Sequence, residues 1–316
     1  MEERNLGKSG LSVTLVGLGC NNFGGRIDLE ATRRVVHKAL DLGITLFDTA
    51  DIYGEKGGEK GGSESDLGEV LGPRRKDVIL ATKFGKPMSA RDHGASRLYV
   101  MRAVEACLAR LKTDWIDLFQ LHEPDPKTPI EETLRALEDL MRQGKVRYIG
   151  ASNFAAWQLV EAHWAAKQQG SGGFICSQEE YSLLDRGVEA EIVPALGACG
   201  MGLLPFFPLA SGLLTGKYKP REAAPEGTRL AREPRMAKRF LTETNLTRLE
   251  RLTSFCEARG KSLLELAFSW LAAQPVVASV IAGATRPEQL EQNVKAVAWK
   301  LSPEELKEID SITLAK

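Results

Sequence analysis

The sequence predicts an α/β fold: a (β/α)8 barrel of the TIM type, with an N-terminal β-hairpin and extra C-terminal helices. Apolar runs of strand length alternate with amphipathic helical patterns along most of the chain, which is typical of βα units in a parallel sheet. These units continue without an obvious reversal or second-domain break, which favours a closed barrel over an open sheet. Because 316 residues suit one barrel, we expect a single domain spanning residues 1–316.

Eight apolar runs have the length of buried strands, and each ends near polar, Gly or Pro residues. The predicted strands are residues 15–18, 45–49, 78–82, 116–121, 148–151, 175–178, 202–206 and 278–281. Eight is the number that a barrel of this type requires.

Helical periodicity fills the intervals between these strands. In the first interval, Val36 and Leu40 lie on one helical face, which would pack against the sheet. The clearest predicted helices are residues 29–42, 96–111, 130–143 and 155–168. Before the third, Thr128 suits the N-cap and Pro129 suits the first turn.

Three segments depart from this regular pattern. Residues 4–14 resemble a short hairpin that could close the bottom of the barrel. Residues 220–234 are rich in charge and Pro and predict a long excursion, because helical pattern resumes after them. Residues 55–62 form a tandem EKGG pair, which we interpret as a tolerated duplication in a flexible loop.

Composition limits the classes of partner. Lys plus Arg equals Asp plus Glu at 42 each, so no overall field recruits nucleic acid or an anionic membrane. The five cysteines are scattered and odd in number, which indicates a reducing compartment. The charged N-terminus lacks a signal peptide's apolar stretch, and the longest apolar region, residues 201–214, is too short to span a bilayer. We expect a cytoplasmic protein with no nucleic-acid or membrane partner; the oligomeric state is not predicted.

Three short motifs do not meet their patterns. The run Gly17-Leu18-Gly19 is followed by Asn22 where the Rossmann fingerprint needs a glycine. Gly7-Lys8-Ser9 has Glu2 where a P-loop needs its first glycine. Near His122, no second histidine stands at a ligand spacing, so no metal site is predicted.

Polar side chains follow three consecutive predicted strands. Asp48, Lys83 and His122 each end a strand, and Tyr53 lies in the loop after the first of them. Each alone could form a structural ion pair or simply pack. Together they would face one mouth, because the carboxyl ends of barrel strands meet there. A lysine ammonium beside a tyrosine should lower the phenol's pKa from about 10 toward the working pH and make it a usable acid.

These residues carry a resemblance that covers essentially the whole chain. The sequence resembles the aldo-keto reductase superfamily, in particular the bacterial reductases related to the potassium-channel β subunits. The matching runs are FDTADIYG at 47–54, ATKFG at 81–85, LH at 121–122, GASNF at 150–154, QEEY at 178–181 and PLASGLLTGK at 208–217.

The resemblance implies NADPH-dependent reduction of aldehydes or ketones to alcohols, with Asp48, Tyr53, Lys83 and His122 as a catalytic tetrad. In that scheme Tyr53 donates a proton to the carbonyl oxygen while hydride arrives from the nicotinamide. Lys83, held by Asp48, tunes the acidity of the phenol, and His122 orients the carbonyl. The cofactor is expected to bind in extended form without a Rossmann fold.

The resemblance also implies the cofactor contacts. Ser152, Asn153 and Gln178 match residues that hold the nicotinamide carboxamide, and Phe206 matches the aromatic residue under the ring, although barrel core is an alternative for it. The positions that match the pyrophosphate loop are Leu209, Ser211, Gly212, Leu213 and Lys217. Those that match the 2′-phosphate and adenine contacts are Gly283, Thr285, Arg286, Gln289, Gln292 and Asn293.

Arg286 favours NADPH over NADH because a guanidinium matches a phosphate in charge and geometry, unless it is only a solvated arginine at a helix start. Two positions depart from the family pattern: Gln292 replaces a Glu, and Phe207 replaces a small Ser. Phe23 and Phe84 are expected walls of the substrate pocket. The physiological carbonyl compound is not predicted.

Two other functions compete with the reductase. One is an NADPH-binding regulatory or sensor subunit with little turnover, because a relative of the channel subunits would have much the same sequence. The other is a lyase in which Lys83 forms a Schiff base.

Overall fold

The computed structural model describes residues 1–55, 57–218 and 224–314. Lys56 of the EKGG pair and residues 220–223 of the expected excursion lie outside the described residues. The strands are β1 Glu3–Asn5, β2 Ser12–Thr14, β3 Val16–Gly19, β4 Leu46–Asp48, β5 Ile79–Phe84, β6 Ile116–Leu121, β7 Val146–Ser152, β8 Cys176–Glu180, β9 Gly202–Phe206 and β10 Val280–Gly283. Each of the eight predicted strands overlaps one of the strands β3 to β10.

Strands β3 to β10 form one parallel sheet in sequential order, with β10 beside β3. A bridge between Leu203 and Val277, just before β10, joins the remaining edge to β9. The sheet is therefore a nearly closed barrel, and the predicted fold class is confirmed. Within it, Gly19 pairs with Asp48 and Asp48 with Ala81, so the carboxyl ends of these strands meet at one mouth.

Helices follow the barrel strands and cover the outside of the barrel. They are α1 Leu29–Asp41, α2 Gly62–Leu71, α3 Arg97–Leu111, α4 Ile130–Arg142, α5 Ala156–Gln168, α6 Ile192–Cys199, α7 Arg229–Arg232, α8 Pro234–Phe240, α9 Glu243–Glu257, α10 Leu263–Ala272, α11 Pro287–Ala296 and α12 Pro303–Thr313. In the described part of the chain, none of them is both long and apolar enough to cross a membrane.

Helix α4 begins at Ile130, as predicted, but the predicted N-cap was wrong by one residue. Pro129 is the N-cap. The Thr128 hydroxyl donates to Asp125 at 2.8 Å instead of capping the helix. A threonine hydroxyl can form a hydrogen bond within its own turn or cap the following helix, and the Thr128 hydroxyl forms the bond within the turn.

The N-terminal hairpin closes the bottom of the barrel, as expected from residues 4–14. Strands β1 and β2 pair antiparallel, from Glu3 with Thr14 to Asn5 with Ser12. Leu6, fully buried, packs in a cluster with Leu118 of β6 and Leu204 of β9. The lower end of the barrel is thus sealed, and the carboxyl end of the strands is left to form a site.

Candidate active site

Lys83 and Asp48 form a buried ion pair at the mouth of the barrel. Lys83, in β5, donates from Nζ to Asp48 Oδ2 at 2.7 Å and to the Thr49 carbonyl at 2.8 Å. The Lys83 side chain is fully buried. Burial alone would lower its pKa, but Asp48 together with other neighbouring groups outweighs this effect, and the net shift is upward. Lys83 is therefore a protonated ammonium at working pH.

Tyr53 lies over this ion pair. The Lys83 Nζ is 5.1 Å from the centroid of the Tyr53 ring, and the ring meets His122 edge to face at 5.9 Å. Burial raises the pKa of Tyr53, Lys83 opposes that shift, and the net direction is upward. The expected lowering toward the working pH was therefore wrong, because loss of solvation outweighs the ammonium. Tyr53 is a protonated phenol, the form that donates a proton.

His122, at the end of β6, carries no charge. Burial, then the charges of Lys83 and Lys86, lower its pKa to about 2. Its Nδ1 is buried and has no hydrogen-bond partner among the described residues. A neutral imidazole can donate one hydrogen bond and accept one, so it can position an oxygen without protonating it.

The residues matched to the carboxamide form one network with the ion pair. Gln178 donates from Nε2 to Asp48 Oδ1 at 3.0 Å. Asn153 donates from Nδ2 to the His122 carbonyl at 2.9 Å and to Ser152 Oγ at 3.0 Å. Ser152 Oγ in turn donates to the Gln178 carbonyl at 2.8 Å.

This network fixes which atoms remain for a ligand. The Asp48 carboxylate and the His122 carbonyl only accept hydrogen bonds, so the amides of Gln178 and Asn153 must present their nitrogens to them. The amide oxygens of Gln178 and Asn153 then remain as acceptors, and so does a lone pair of Ser152. Acceptors of this kind suit the two N–H groups of a carboxamide.

The segment after β9 has strained backbone. Phe207, Ala210 and Ser211 have φ angles of 51°, 46° and 56°, a left-handed conformation that costs a non-glycine residue about 1–3 kcal/mol. The Ser211 hydroxyl lies on the cavity wall, buried and without a hydrogen-bond partner among the described residues. Strain and an unpaired buried donor together indicate a ligand site.

Phe207, which replaces the family's small serine, has a packing role. Its ring contacts Phe240 of α8 edge to face at 6.1 Å, and the Arg229 guanidinium of α7 lies 5.1 Å from its centroid. Phe207 thus packs against α7 and α8 beside the cavity. Pairs of this geometry contribute about 0.5–1.5 kcal/mol beyond burial.

Several cations that repel one another lie near the segment after β9. Burial, Arg26 and Arg286 lower the pKa of Lys217. Burial, Arg232 and Arg229 lower the pKa of Arg26. Mutual repulsion of this kind is relieved when an anion binds among the cations. We call Arg26, Lys217, Arg229, Arg232 and Arg286 the cation cluster.

The remaining predicted cofactor positions divide into two groups. Several line a cavity of about 560 Å³ that also contains Tyr53 and His122: Phe206, Leu209, Ser211, Gly212, Lys217, Gly283, Thr285 and Gln289. The other four are not among the lining residues: Leu213 and Asn293 are buried, and Arg286 and Gln292 are exposed. The Gln289 side-chain oxygen Oε1 accepts from the Thr285 backbone N–H at 2.8 Å, so that side chain also holds the start of α11.

The two expected substrate walls do not line the cavity. Phe23 and Phe84 are fully buried in the main core, and Phe84 stacks on Phe119 at 4.5 Å. Ile52 and Lys86, which the sequence analysis did not single out, line the cavity near Tyr53 and His122. Their position in loops after β4 and β5 was the available signal.

A second buried carboxyl group, Asp51, lies behind the site. Its two oxygens are buried without a hydrogen-bond partner among the described residues. Burial, then repulsion from Glu64, raise its pKa from 3.8 to about 8. At neutral pH the Asp51 carboxyl is therefore mostly protonated in the folded protein and ionised in the unfolded chain.

Asp51→Asn should remove part of the pH dependence of stability. Between the two pKa values of Asp51, the folded protein holds a proton that the unfolded chain has lost. Wild-type stability should therefore fall as pH rises from about 5 to 8, by up to about 1.4 kcal/mol per pH unit from this group. Urea denaturation of both proteins across that range measures it. A pH-independent difference between the two curves would contradict the assignment.

Comparison with known proteins identifies the family. Residues 15–314 match the family model described as Aldo/keto reductase family. The uncharacterized oxidoreductase YrpG of Bacillus subtilis (strain 168) is 39% identical, over 99% of this chain and 96% of that protein. A probable voltage-gated potassium channel subunit beta of Arabidopsis thaliana is 38% identical, over 94% and 91%. An L-glyceraldehyde 3-phosphate reductase of Escherichia coli O157:H7 is 37% identical, over 98% and 92%.

The family model matches almost the whole chain, and several relatives have names that describe oxidoreductases. These similarities support carbonyl reduction with a nicotinamide cofactor as the general activity. The chain belongs to the aldo/keto reductase family.

Proposed function

We propose that this protein is an NADPH-dependent reductase that converts small aldehydes or ketones to alcohols, with Tyr53 as proton donor. The observation that carries the proposal is the buried Lys83–Asp48 pair beside the Tyr53 ring and the neutral His122, at a cavity of about 560 Å³. A structural ion pair alone would not require a phenol and an uncharged imidazole at the same opening.

The residues around the cavity fit NADPH. The cation cluster suits the pyrophosphate and the 2′-phosphate, because its positive charges lie close together and are only partly balanced by Glu233, which pairs with Arg229 at 3.1 Å. The unpaired Ser211 hydroxyl supplies a donor on the same side. The free acceptors of Ser152, Asn153 and Gln178 suit the carboxamide, and the half-buried Phe206 offers a face for the ring.

Bound NADPH supplies the hydride that reduces the carbonyl carbon. Tyr53 holds the proton that the substrate oxygen receives, and His122 positions that oxygen through a hydrogen bond. The Lys83 ammonium stabilises the phenolate that Tyr53 becomes. Asp48 keeps Lys83 protonated and in place. Asp48, Lys83 and His122 are buried and Tyr53 is partly buried, so little water screens these interactions.

A turnover experiment separates the reductase from a sensor. The potassium channel name of one relative supports the alternative of an NADPH-binding regulatory subunit. Stopped-flow mixing of the NADPH-loaded protein with 4-nitrobenzaldehyde should give a rapid loss of NADPH absorbance, repeated over many turnovers with excess cofactor. Absence of reaction with this and other small aldehydes, with NADPH binding intact, would favour the sensor.

The Schiff-base lyase has no support from the site. The Lys83 ammonium is held by Asp48 and the Thr49 carbonyl, and its raised pKa disfavours the neutral amine that an imine requires. We propose that the protein acts as one domain in the cytoplasm on a small-molecule carbonyl compound. The five unpaired cysteines support a reducing compartment.

A further inference from the structure

Lys86 lines the cavity near Tyr53 and His122, the part that we call the substrate end. Strand β5 ends at Phe84, and Gly85 follows with φ of +115°, a conformation that L side chains rarely adopt. The Gly85 carbonyl accepts from Gly94 N–H at 2.7 Å, which closes the loop. This turn brings Lys86 onto the cavity wall beside Tyr53 and His122. The Lys86 side chain is 32% exposed, so it is partly shielded from solvent.

The positive charge of Lys86 is only weakly compensated. Its facing carboxylate is Glu123, at 3.8 Å and 46% exposed, a geometry that contributes little. Lys60 of the EKGG segment donates to the Pro87 carbonyl at 2.6 Å, which places a second ammonium beside the same loop. The buried Lys83 is already paired with Asp48. The substrate end therefore has an excess of positive charge.

This charge is separate from the cation cluster. Lys86 belongs to the loop after β5, whereas Lys217 follows β9 and Arg286 follows β10, on the other side of the barrel mouth. The charge of Lys86 acts on His122, while that of Lys217 is coupled to Arg26 and Arg286. A cofactor whose nicotinamide lies near Phe206 and whose phosphates bind the cation cluster would leave Lys86 free to bind a group of the substrate.

We propose that Lys86 is a specificity-determining residue that binds an anionic group of the substrate, a phosphate or a carboxylate, a few bonds from the reacting carbonyl. The proposal rests on the proposed function, because it extends the substrate side of that site. An ammonium at this position lowers KM for an anionic carbonyl compound and has nothing to bind in its neutral counterpart. The preference should weaken with added salt, because the site opens to solvent.

Paired substrates test the proposal. Glyceraldehyde 3-phosphate is compared with glyceraldehyde, and succinate semialdehyde with butanal, so that the phosphate and the carboxylate are tested separately. In Lys86→Met the ratio of kcat/KM between the anionic and the neutral partner should fall about 10-fold, mainly through KM. Lys86→Arg should retain the preference. Glu123→Gln should increase it, because a competing carboxylate is lost.

Lys300→Met is the matched control, since Lys300 is exposed and contacts Glu2 beside the N-terminal hairpin; it should leave both ratios unchanged. If wild-type protein reduces the neutral aldehydes but Lys86→Met keeps the anionic preference, or wild type has none, the subsite is wrong and the reductase stands. If wild-type protein reduces no aldehyde, the proposed function itself fails. A fall confined to one pair identifies phosphate or carboxylate as the preferred anion.

Discussion

Tyr53→Phe should lower kcat for aldehyde reduction by about 100- to 10,000-fold, the range that a positioned proton donor contributes. The substitution removes only the hydroxyl and leaves the ring beside His122 and Lys83. The dissociation constant for NADPH should therefore stay within about twofold of wild type, since no proposed cofactor contact is lost. Single-turnover kinetics and fluorescence titration measure the two quantities.

Tyr148→Phe is a matched control for this loss. Tyr148 lies in β7 and packs with the cluster beneath the barrel, at the end opposite the cavity. Removing its hydroxyl should leave kcat unchanged. A Tyr53 variant that retained wild-type kcat, or one that lost NADPH binding in proportion to activity, would show that Tyr53 is not the proton donor.

The protonation states of the tetrad predict that kcat for aldehyde reduction depends little on pH near neutrality. His122, with a pKa of about 2, stays uncharged, and burial keeps Tyr53 protonated. His122, Tyr53 and Lys83 should therefore keep their charges between about pH 6 and 8. The raised pKa of Tyr53 does not prevent proton donation in the proposed mechanism, because the Lys83 ammonium stabilises the phenolate that remains.

The barrel and the location of the tetrad were predictable because both follow from strand ends. Alternating βα units determine the order of the strands, and parallel strands bring Asp48, Lys83 and His122 to one edge. No long-range information beyond this topology was needed. The hairpin was predictable for a similar reason, since glycines and short apolar runs mark it locally.

The prediction that Phe84 forms a wall of the substrate pocket failed for a reason that can be read from the sequence. Side chains alternate along a strand, so if Lys83 points into the barrel, Phe84 points outward to the helices, where it stacks on Phe119. In contrast, the upward shift of the Tyr53 pKa could not be read from residue types. It depends on how completely neighbouring chain segments exclude water from the phenol.

We propose that the choice between NADPH and NADH depends on Arg286, the exposed residue that immediately precedes α11. Arg286→Ala should raise the dissociation constant for NADPH about 100-fold, because a guanidinium makes charge-assisted hydrogen bonds of about 1.5–3 kcal/mol to a phosphate. The constant for NADH should change less than about twofold, since NADH has no 2′-phosphate. Fluorescence titration with both cofactors measures the ratio.

Arg34→Ala controls for a general loss of positive charge, because Arg34 is exposed on α1 and should affect neither cofactor. The cation cluster contains several charges that act on Lys217 and Arg26, and the pyrophosphate is common to NADPH and NADH. Loss of a pyrophosphate contact would therefore weaken both cofactors equally. Equal weakening by Arg286→Ala would place that guanidinium on the pyrophosphate and leave the preference for NADPH without its proposed cause.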